Sequence, residues 1–208
     1  MERLNLFSTP IFFKKNFTTD EERLSIVSHI KANSKLFDKI GNVEGVGYGN
    51  FRITHYKTNN INNFFEGNNI INYFVKTLPK CFNLKNKIEQ TINELTPFFG
   101  FNKVDIDNSW ITIQKKESSL LRHSHSLSKL SVILYLNVGD KASDLFFYNP
   151  NPNYKFMEYD IYDYTNFSSF QVTPENNLLL IFPGWLEHGS DIVPNEFEDR
   201  IALSINTK

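Results

Sequence analysis

The chain reads as an α+β protein, with helices packed against a β-sandwich or barrel. Two observations predict this. Through the first half, apolar residues recur at helical spacing. After about Asn108 the pattern changes to short β-branched and aromatic segments divided by turn-prone residues. A run of helices followed by a run of strands indicates segregated layers around one core. At 208 residues a single domain is expected over 1–208, with a helical part at about 1–100 and a β-core at about 105–208.

The helical half can be justified element by element. "TTDEERLSIVSHIKANSKLF" opens on a capping box, Thr19 to Glu22, and Leu24, Val27 and Ile30 are expected to share its apolar face. His29 on the same helix is expected at the surface or at an interface. "GVGYGNFRITHYK" is punctuated by glycine and then alternates, which predicts a turn and a strand, with His55 structural. A second helix is expected at about 60–77, with Ile61, Phe64, Phe65, Ile71, Phe74 and Val75 as its apolar set, before Pro79. A third is expected at about 84–96: Leu84, Ile88, Ile92 and Leu95 are spaced near the helical period, and Pro97 stops it.

In the second half, "SWITIQKK", "LSVILYLN", "SDLFFYNP", "NNLLLIFPG" and "RIALSINTK" read as strands. The stretch 149–174 between them is long, aromatic and irregular. Loops of that length in a compact domain serve as lids or binding loops. It and "GVGYGNFRITHY" are the candidates for a substrate-facing surface.

Composition narrows the function classes. Net charge is −1, so no basic footprint argues for a nucleic-acid partner. The N-terminus "MERLNLFSTPIFFKKNF" lacks the apolar core of a secretory leader. No apolar run reaches the roughly 18 residues of a membrane helix. The single cysteine, Cys81, excludes an internal disulfide and a multi-cysteine zinc site, and suits a reducing compartment. A soluble, cytoplasmic protein is expected, with no membrane partner.

The segment "RHSHSLSKLSVILYLN" carries the chemistry. In an extended chain His123 and His125 point the same way, because residues two apart share a strand face. Two imidazoles on one face are half of a metal site. His188, in "FPGWLEHGSD", is the candidate third ligand. On the last strand, Ile201, Leu203 and Ile205 form one face, and Arg200, Ala202, Ser204 and Asn206 form the other. An arginine followed by small and polar residues suits a pocket that grips an anion, since guanidinium binds carboxylate in a bidentate fork. Tyr135 shares parity with Ser131 and Ile133, and its hydroxyl is positioned to add a hydrogen bond to that carboxylate.

These phrases resemble the iron(II)- and 2-oxoglutarate-dependent oxygenases, most closely a branch of small bacterial and phage proteins of prolyl-hydroxylase type. "LFSTPIF", a tryptophan-led strand at Trp110, "HSHSLSKLSVILYL", "TPENNLLLIFPGWLEHGSDIVPN" and "RIALSIN" fill the places of that family's usual phrases. The likeness is most specific over 110–206 and weak over 20–100. It implies a double-stranded β-helix (jelly-roll or cupin-like) core with N-terminal helices against one sheet. It implies Fe(II), 2-oxoglutarate and O2 as metal and co-substrates. His123 matches the first metal ligand and His188 the distal one. Arg200 matches the residue that pairs with the far carboxylate of 2-oxoglutarate; Tyr135, Ser204 and Ser131 stand with it as co-substrate contacts. The activity implied is a dioxygenase that hydroxylates an unactivated C–H bond of a peptide, amino acid or small molecule, releasing succinate and CO2.

The departures from the family pattern leave alternatives open. The usual triad is two histidines and a carboxylate, and His125 stands in the carboxylate's place. A three-histidine site is one reading. In the second, His125 turns away and water completes the shell. In the third, Asp191 or Glu187 supplies the carboxylate. Ala202 stands where serine is frequent. Asn176–Asn177 occupy a turn where glycine is usual, and asparagine tolerates the left-handed conformation. The rival functions are a three-histidine cupin-type dioxygenase that does not use 2-oxoglutarate, and a non-catalytic β-sandwich binding module. Oxidative halogenation would need His125 not to bind.

Overall fold

The structure is a computed structural model that describes residues 8–33, 47–48, 51–53, 69–125, 127–151, 158–162 and 166–208. Helix α1 (Asp20–Ala32) begins with the expected capping box: the Glu22 N–H donates to the Thr19 hydroxyl, and the Thr19 N–H donates to the Glu22 carboxylate. Its buried residues are Ile26, Val27 and Ile30, while Leu24 is 49% exposed. Steps of three lag the helical turn by about 60° each, so Leu24 drifts off the stripe and Ile26 takes its place. Helix α2 (Ile70–Thr77) buries Ile70, Ile71 and Phe74, with Val75 half-buried. Residues 60–68 of the expected second helix, including Ile61, Phe64 and Phe65, lie outside the described residues, as does His55. Helix α3 (Leu84–Leu95) buries Leu84, Ile88 and Ile92. His29 joins α1 to α2 through its Nε2, 2.8 Å from the Tyr73 hydroxyl, and burial lowers its basicity. Cys81 is fully buried, and burial raises its thiol to about 11.

The strands, in chain order, are β1 (Phe12–Lys14), β2 (Gly47–Tyr48), β3 (Phe51–Ile53), β4 (Ile106–Lys115), β5 (Ser119–Leu120), β6 (Leu130–Asn137), β7 (Leu145–Tyr148), β8 (Ser169–Val172), β9 (Leu179–Pro183), β10 (His188–Gly189) and β11 (Asp199–Thr207). They form a six-stranded sheet in the order β1-β9-β6-β11-β4-β3, a three-stranded sheet β10-β7-β8 and a short pair β2-β5. Strands β1, β5, β8 and β10 were not among the expected ones. Strand β1 adds to the edge of the large sheet beside β9. Strand β8 lies inside the stretch read as irregular and pairs with β7. Its residues are half-exposed or exposed on both faces, so no alternation marks it. Within that stretch, 152–157 and 163–165 lie outside the described residues.

Side-chain parity sorts the two faces of the large sheet. Ile201, Leu203 and Ile205 of β11, with Ile111, Val132, Leu134 and Ile181, share one core with the helices. On the opposite face Tyr135, Leu180, Phe182 and Ala202 pack against Leu145 and Phe147 of the small sheet. The helices therefore cover the outer face, and the space between the sheets is left to the site.

A single turn pins the helical layer to this sheet. Asn177 has φ 66°, the left-handed conformation expected of it. Its Oδ1 accepts from the Thr18 hydroxyl at 2.6 Å, and its Nδ2 donates to the Asp20 carboxylate at 3.0 Å. That hydrogen bond and Arg23 hold the Asp20 carboxyl below its ordinary range. Arg23 also donates to the Leu136 carbonyl on β6. Among the described residues, no helix is long and apolar enough to cross a membrane.

Candidate active site

Backbone pairing brings the first and last histidines together. His123 and His188 exchange both of their backbone hydrogen bonds, each at 2.9 Å, as an antiparallel bridge. Such a pair sends its side chains to the same side. The turn between β9 and β10 carries the second contact: the His125 N–H donates to the Gly184 carbonyl at 2.7 Å. A Cβ at 184 would stand 2.2 Å from the Ser128 carbonyl oxygen and 2.8 Å from that of His125. Only glycine permits that approach, and it locks the H-x-H segment onto the turn that leads to His188.

As a result, His123, His125 and His188 each offer a nitrogen, and these three atoms lie within 4.8 Å of one another. The ring centroids are 4.4 Å apart for His123 and His188, 5.0 Å for His123 and His125, and 5.3 Å for His125 and His188. His188 is buried against Phe182 and Phe147. Burial, reinforced by His123, holds it well below the usual imidazole range, and burial lowers His123 as well. Both rings therefore favour the neutral form that a metal requires. Their Nδ1 atoms meet backbone carbonyls, His123 with Leu121 at 2.7 Å and His188 with Leu186 at 2.9 Å. A carbonyl only accepts, so Nδ1 carries the proton and Nε2 keeps its lone pair for a ligand. This donor set fits a divalent metal.

The two carboxylates nearest His188 in sequence are engaged elsewhere. Glu187 pairs with Arg122. Asp191 accepts from the Tyr148 hydroxyl at 2.6 Å, and Arg122 stacks over the Tyr148 ring. Among the described residues the cluster with metal-ligand spacing holds histidines alone.

At the other end of the inter-sheet core, Arg200 is 3% exposed. Its Nε donates to the Ser143 carbonyl, one terminal nitrogen to Gln114 Oε1 and the other to the Tyr135 hydroxyl, at 3.0, 3.1 and 3.2 Å. All three acceptors are neutral, and among the described residues no carboxylate lies within ion-pairing distance. A buried guanidinium without a counter-ion is costly, and it fits a site that receives an anion. The Ser143 hydroxyl, also buried, has no hydrogen-bond partner among the described residues. Burial raises Tyr135 despite the opposing pull of Arg200, so its hydroxyl keeps its proton.

Arg200 and Tyr135 thus meet through the pairing of β6 with β11. Ser131 stands apart from them: it is the register partner of Asn206 and donates to its Oδ1 at 3.1 Å, and Asn206 in turn faces His125. Ser204, half-buried, lies between the ends, opposite Ile133 and Trp110. Two contributors escaped the sequence reading. Gln114 is fully buried, receives Arg200 and donates to Ser118 and Ser190. Its signal was parity, since it shares the inner face of β4 with Trp110 and Thr112. Ser143 gave no signal, because it lies in the loop before β7.

Two facing antiparallel sheets, with a histidine cluster at one end and a buried arginine at the other, form a double-stranded β-helix core. The family model described as "Putative 2OG-Fe(II) oxygenase" matches residues 108–206, which include every site residue named above. Over that stretch the chain is similar to the 2OG-Fe(II) oxygenase family. Solved structures share the fold. A Pseudomonas putida prolyl-4-hydroxylase is 12% identical at a TM-score of 0.62, covering 98% of this chain and 94% of its own. A prolyl hydroxylase from Trichoplax adhaerens, in complex with a hypoxia inducible factor peptide fragment, is 14% identical at 0.60, covering 97% and 84%. HygX from Streptomyces hygroscopicus, with nickel, 2-oxoglutarate and hygromycin B bound, is 11% identical at 0.58, covering 96% and 82%. No curated protein sequence is a match.

Proposed function

We propose that residues 1–208 act as one oxygenase domain that hydroxylates an unactivated C–H bond of a peptide, an amino acid or another small molecule. In this reading His123, His125 and His188 hold iron(II). Arg200 with Tyr135 receives the far carboxylate of 2-oxoglutarate, and Ser204 and Ser131 border the same inner face. When bound, the metal and co-substrate supply the oxidising power: dioxygen is consumed, 2-oxoglutarate is split to succinate and CO2, and one oxygen atom enters the substrate. The chain's own residues orient and exclude. The Leu121 and Leu186 carbonyls hold two imidazoles in the ligating tautomer. Phe147 and Phe182 keep water from His188. Gln114 and the Ser143 carbonyl aim the guanidinium. The buried, thiol-form Cys81 fits a reducing, cytoplasmic setting.

Arg200 carries this reading: a buried cation whose partners among the described residues are all neutral calls for an anionic ligand. The test is titration of 2-oxoglutarate into iron-loaded protein without oxygen, followed by succinate measurement in air with peptide and small-molecule substrates. Saturable binding that Arg200→Ala weakens, together with succinate release, is expected. Iron uptake with neither would favour the three-histidine dioxygenase that needs no 2-oxoglutarate.

A further inference from the structure

Two unanswered groups meet at the arginine end. The first is the guanidinium of Arg200, buried with only neutral acceptors among the described residues. The second is the hydroxyl of Ser143. That residue is 3% exposed, and its Oγ has no hydrogen-bond partner among the described residues. A buried hydroxyl left unpaired is costly, and native folds keep few of them. The two groups are close by covalent geometry. The Ser143 carbonyl accepts from Arg200 Nε at 3.0 Å. A serine Oγ lies within about 5 Å of its own carbonyl oxygen, so one small ligand can span the hydroxyl and the guanidinium.

Ser143 is held in place without its hydroxyl. Its N–H donates to Asn195 Oδ1 at 3.2 Å. Asn195 is itself fully buried, and its Nδ2 donates to the Gln114 carbonyl on β4 at 2.9 Å. One residue further on, the Glu196 N–H donates to the Lys141 carbonyl at 3.1 Å. Asn195 and Glu196 therefore clamp the loop before β7 at two points. With its N–H and C=O both engaged, Ser143 has only the hydroxyl left over. The neighbouring carboxylate does not use it: Asp144 accepts from Gln171 Nε2 on β8. The chemistry of the occupant follows. A carboxylate only accepts, and its two oxygens take about four hydrogen bonds. It can receive N–H groups of Arg200, the Tyr135 O–H and the Ser143 O–H together. A neutral amide or alcohol would leave the cation unanswered.

We infer that Ser143 is a binding residue of the arginine end: its hydroxyl donates to the carboxylate that Arg200 receives. This rests on the reading of Arg200 as the receiver of the far carboxylate of 2-oxoglutarate. A hydroxyl reserved for a ligand has a signature that a structural one lacks. Its removal weakens the ligand and leaves the fold no less stable.

Ser143→Ala tests both halves. The parent, Ser143→Ala and Arg200→Ala are loaded with iron(II) without oxygen and titrated with 2-oxoglutarate. Ser143→Ala is expected to bind it about tenfold more weakly, the worth of one hydrogen bond to a charged group. Its iron affinity, measured by chelator competition, is expected to match the parent's. Free of 2-oxoglutarate, the variant is expected to melt within about 2 °C of the parent or above it, because a lost structural hydrogen bond would lower the midpoint further. If Ser143→Ala bound 2-oxoglutarate like the parent while Arg200→Ala did not, the inference alone would fall. A larger drop in melting temperature would assign the hydroxyl a structural partner, and weaker iron binding would place its effect at the histidine end; either overturns the inference. No saturable binding by the parent, or undiminished binding by Arg200→Ala, would overturn the reading of the arginine end and the inference with it.

Discussion

At one end of the inter-sheet core three imidazoles stand together with no carboxylate at ligand spacing among the described residues, and at the other a guanidinium is buried with none at ion-pairing distance. The shared absence has opposite meanings. Imidazole can shed its proton, and burial drives His123 and His188 to the neutral form, so the histidine end needs no counter-charge until a cation arrives. Arginine cannot shed its proton, so the other end keeps a charge that no carboxylate among the described residues pairs with. In the proposed reading the histidine end takes a cation and the arginine end an anion. If His125 ligates, the ligand set is neutral and leaves the full charge of a divalent metal unbalanced. A dianion with a carboxylate at each end then answers both charges at once.

The sharpest break of this comparison is removal of one end at a time. His188→Ala deletes a donor held by two backbone contacts, and metal affinity is expected to fall by more than the roughly 100-fold limit of outer-shell changes. Iron or cobalt titration by chelator competition measures it. Arg200→Ala should leave metal affinity within about threefold while weakening 2-oxoglutarate by roughly 2–5 kcal/mol, the usual cost of truncating a buried, hydrogen-bonded charge partner. Calorimetric titration without oxygen checks it. If Arg200→Ala lost metal and His188→Ala lost only co-substrate, the assignment of the ends would be reversed. Arg200→Lys is the milder version: it keeps the charge but loses the fork to Gln114 and Tyr135, and about tenfold weaker 2-oxoglutarate is expected.

How much of this was legible before the structure depends on which residues are involved. Parity placed Arg200 on the inner face, because Ala202, Ser204 and Asn206 share that face while Ile201, Leu203 and Ile205 form the other. The left-handed Asn177 was legible for a similar reason, since few residues tolerate that conformation. Parity says nothing about which strand lies opposite. That Ser131 reaches Asn206, and Asn206 reaches His125, follows from a register between distant segments. The same gap hid Gln114, whose parity was plain but whose partner, Arg200, is fixed only by β4–β11 pairing. The two candidate carboxylates were close to His188 in sequence, yet Arg122 and Tyr148 hold them, through contacts no spacing rule contains.

The smallest expected effect sharpens the arginine end. Tyr135 is fully buried, lies under the guanidinium at 4.9 Å, and its hydroxyl takes one of the Arg200 nitrogens at 3.2 Å. Tyr135→Phe keeps the ring and its stacking but deletes the hydroxyl, which serves as acceptor for Arg200 and donor for an incoming carboxylate. One hydrogen bond to a charged group is worth about 1.5 kcal/mol, roughly tenfold in 2-oxoglutarate affinity. The pH dependence separates this role from that of an ionised phenolate. Burial raises the Tyr135 pKa, with Arg200 only partly opposing. An acid whose pKa is raised stays protonated past its ordinary range, so the hydroxyl remains a donor throughout pH 7–9. The affinity ratio of parent to Tyr135→Phe, measured by titration across that interval, is therefore expected to stay constant. A ratio that collapsed toward one as the pH rose would mean that the hydroxyl loses its proton there, and that the neutral surroundings assigned to Arg200 are wrong.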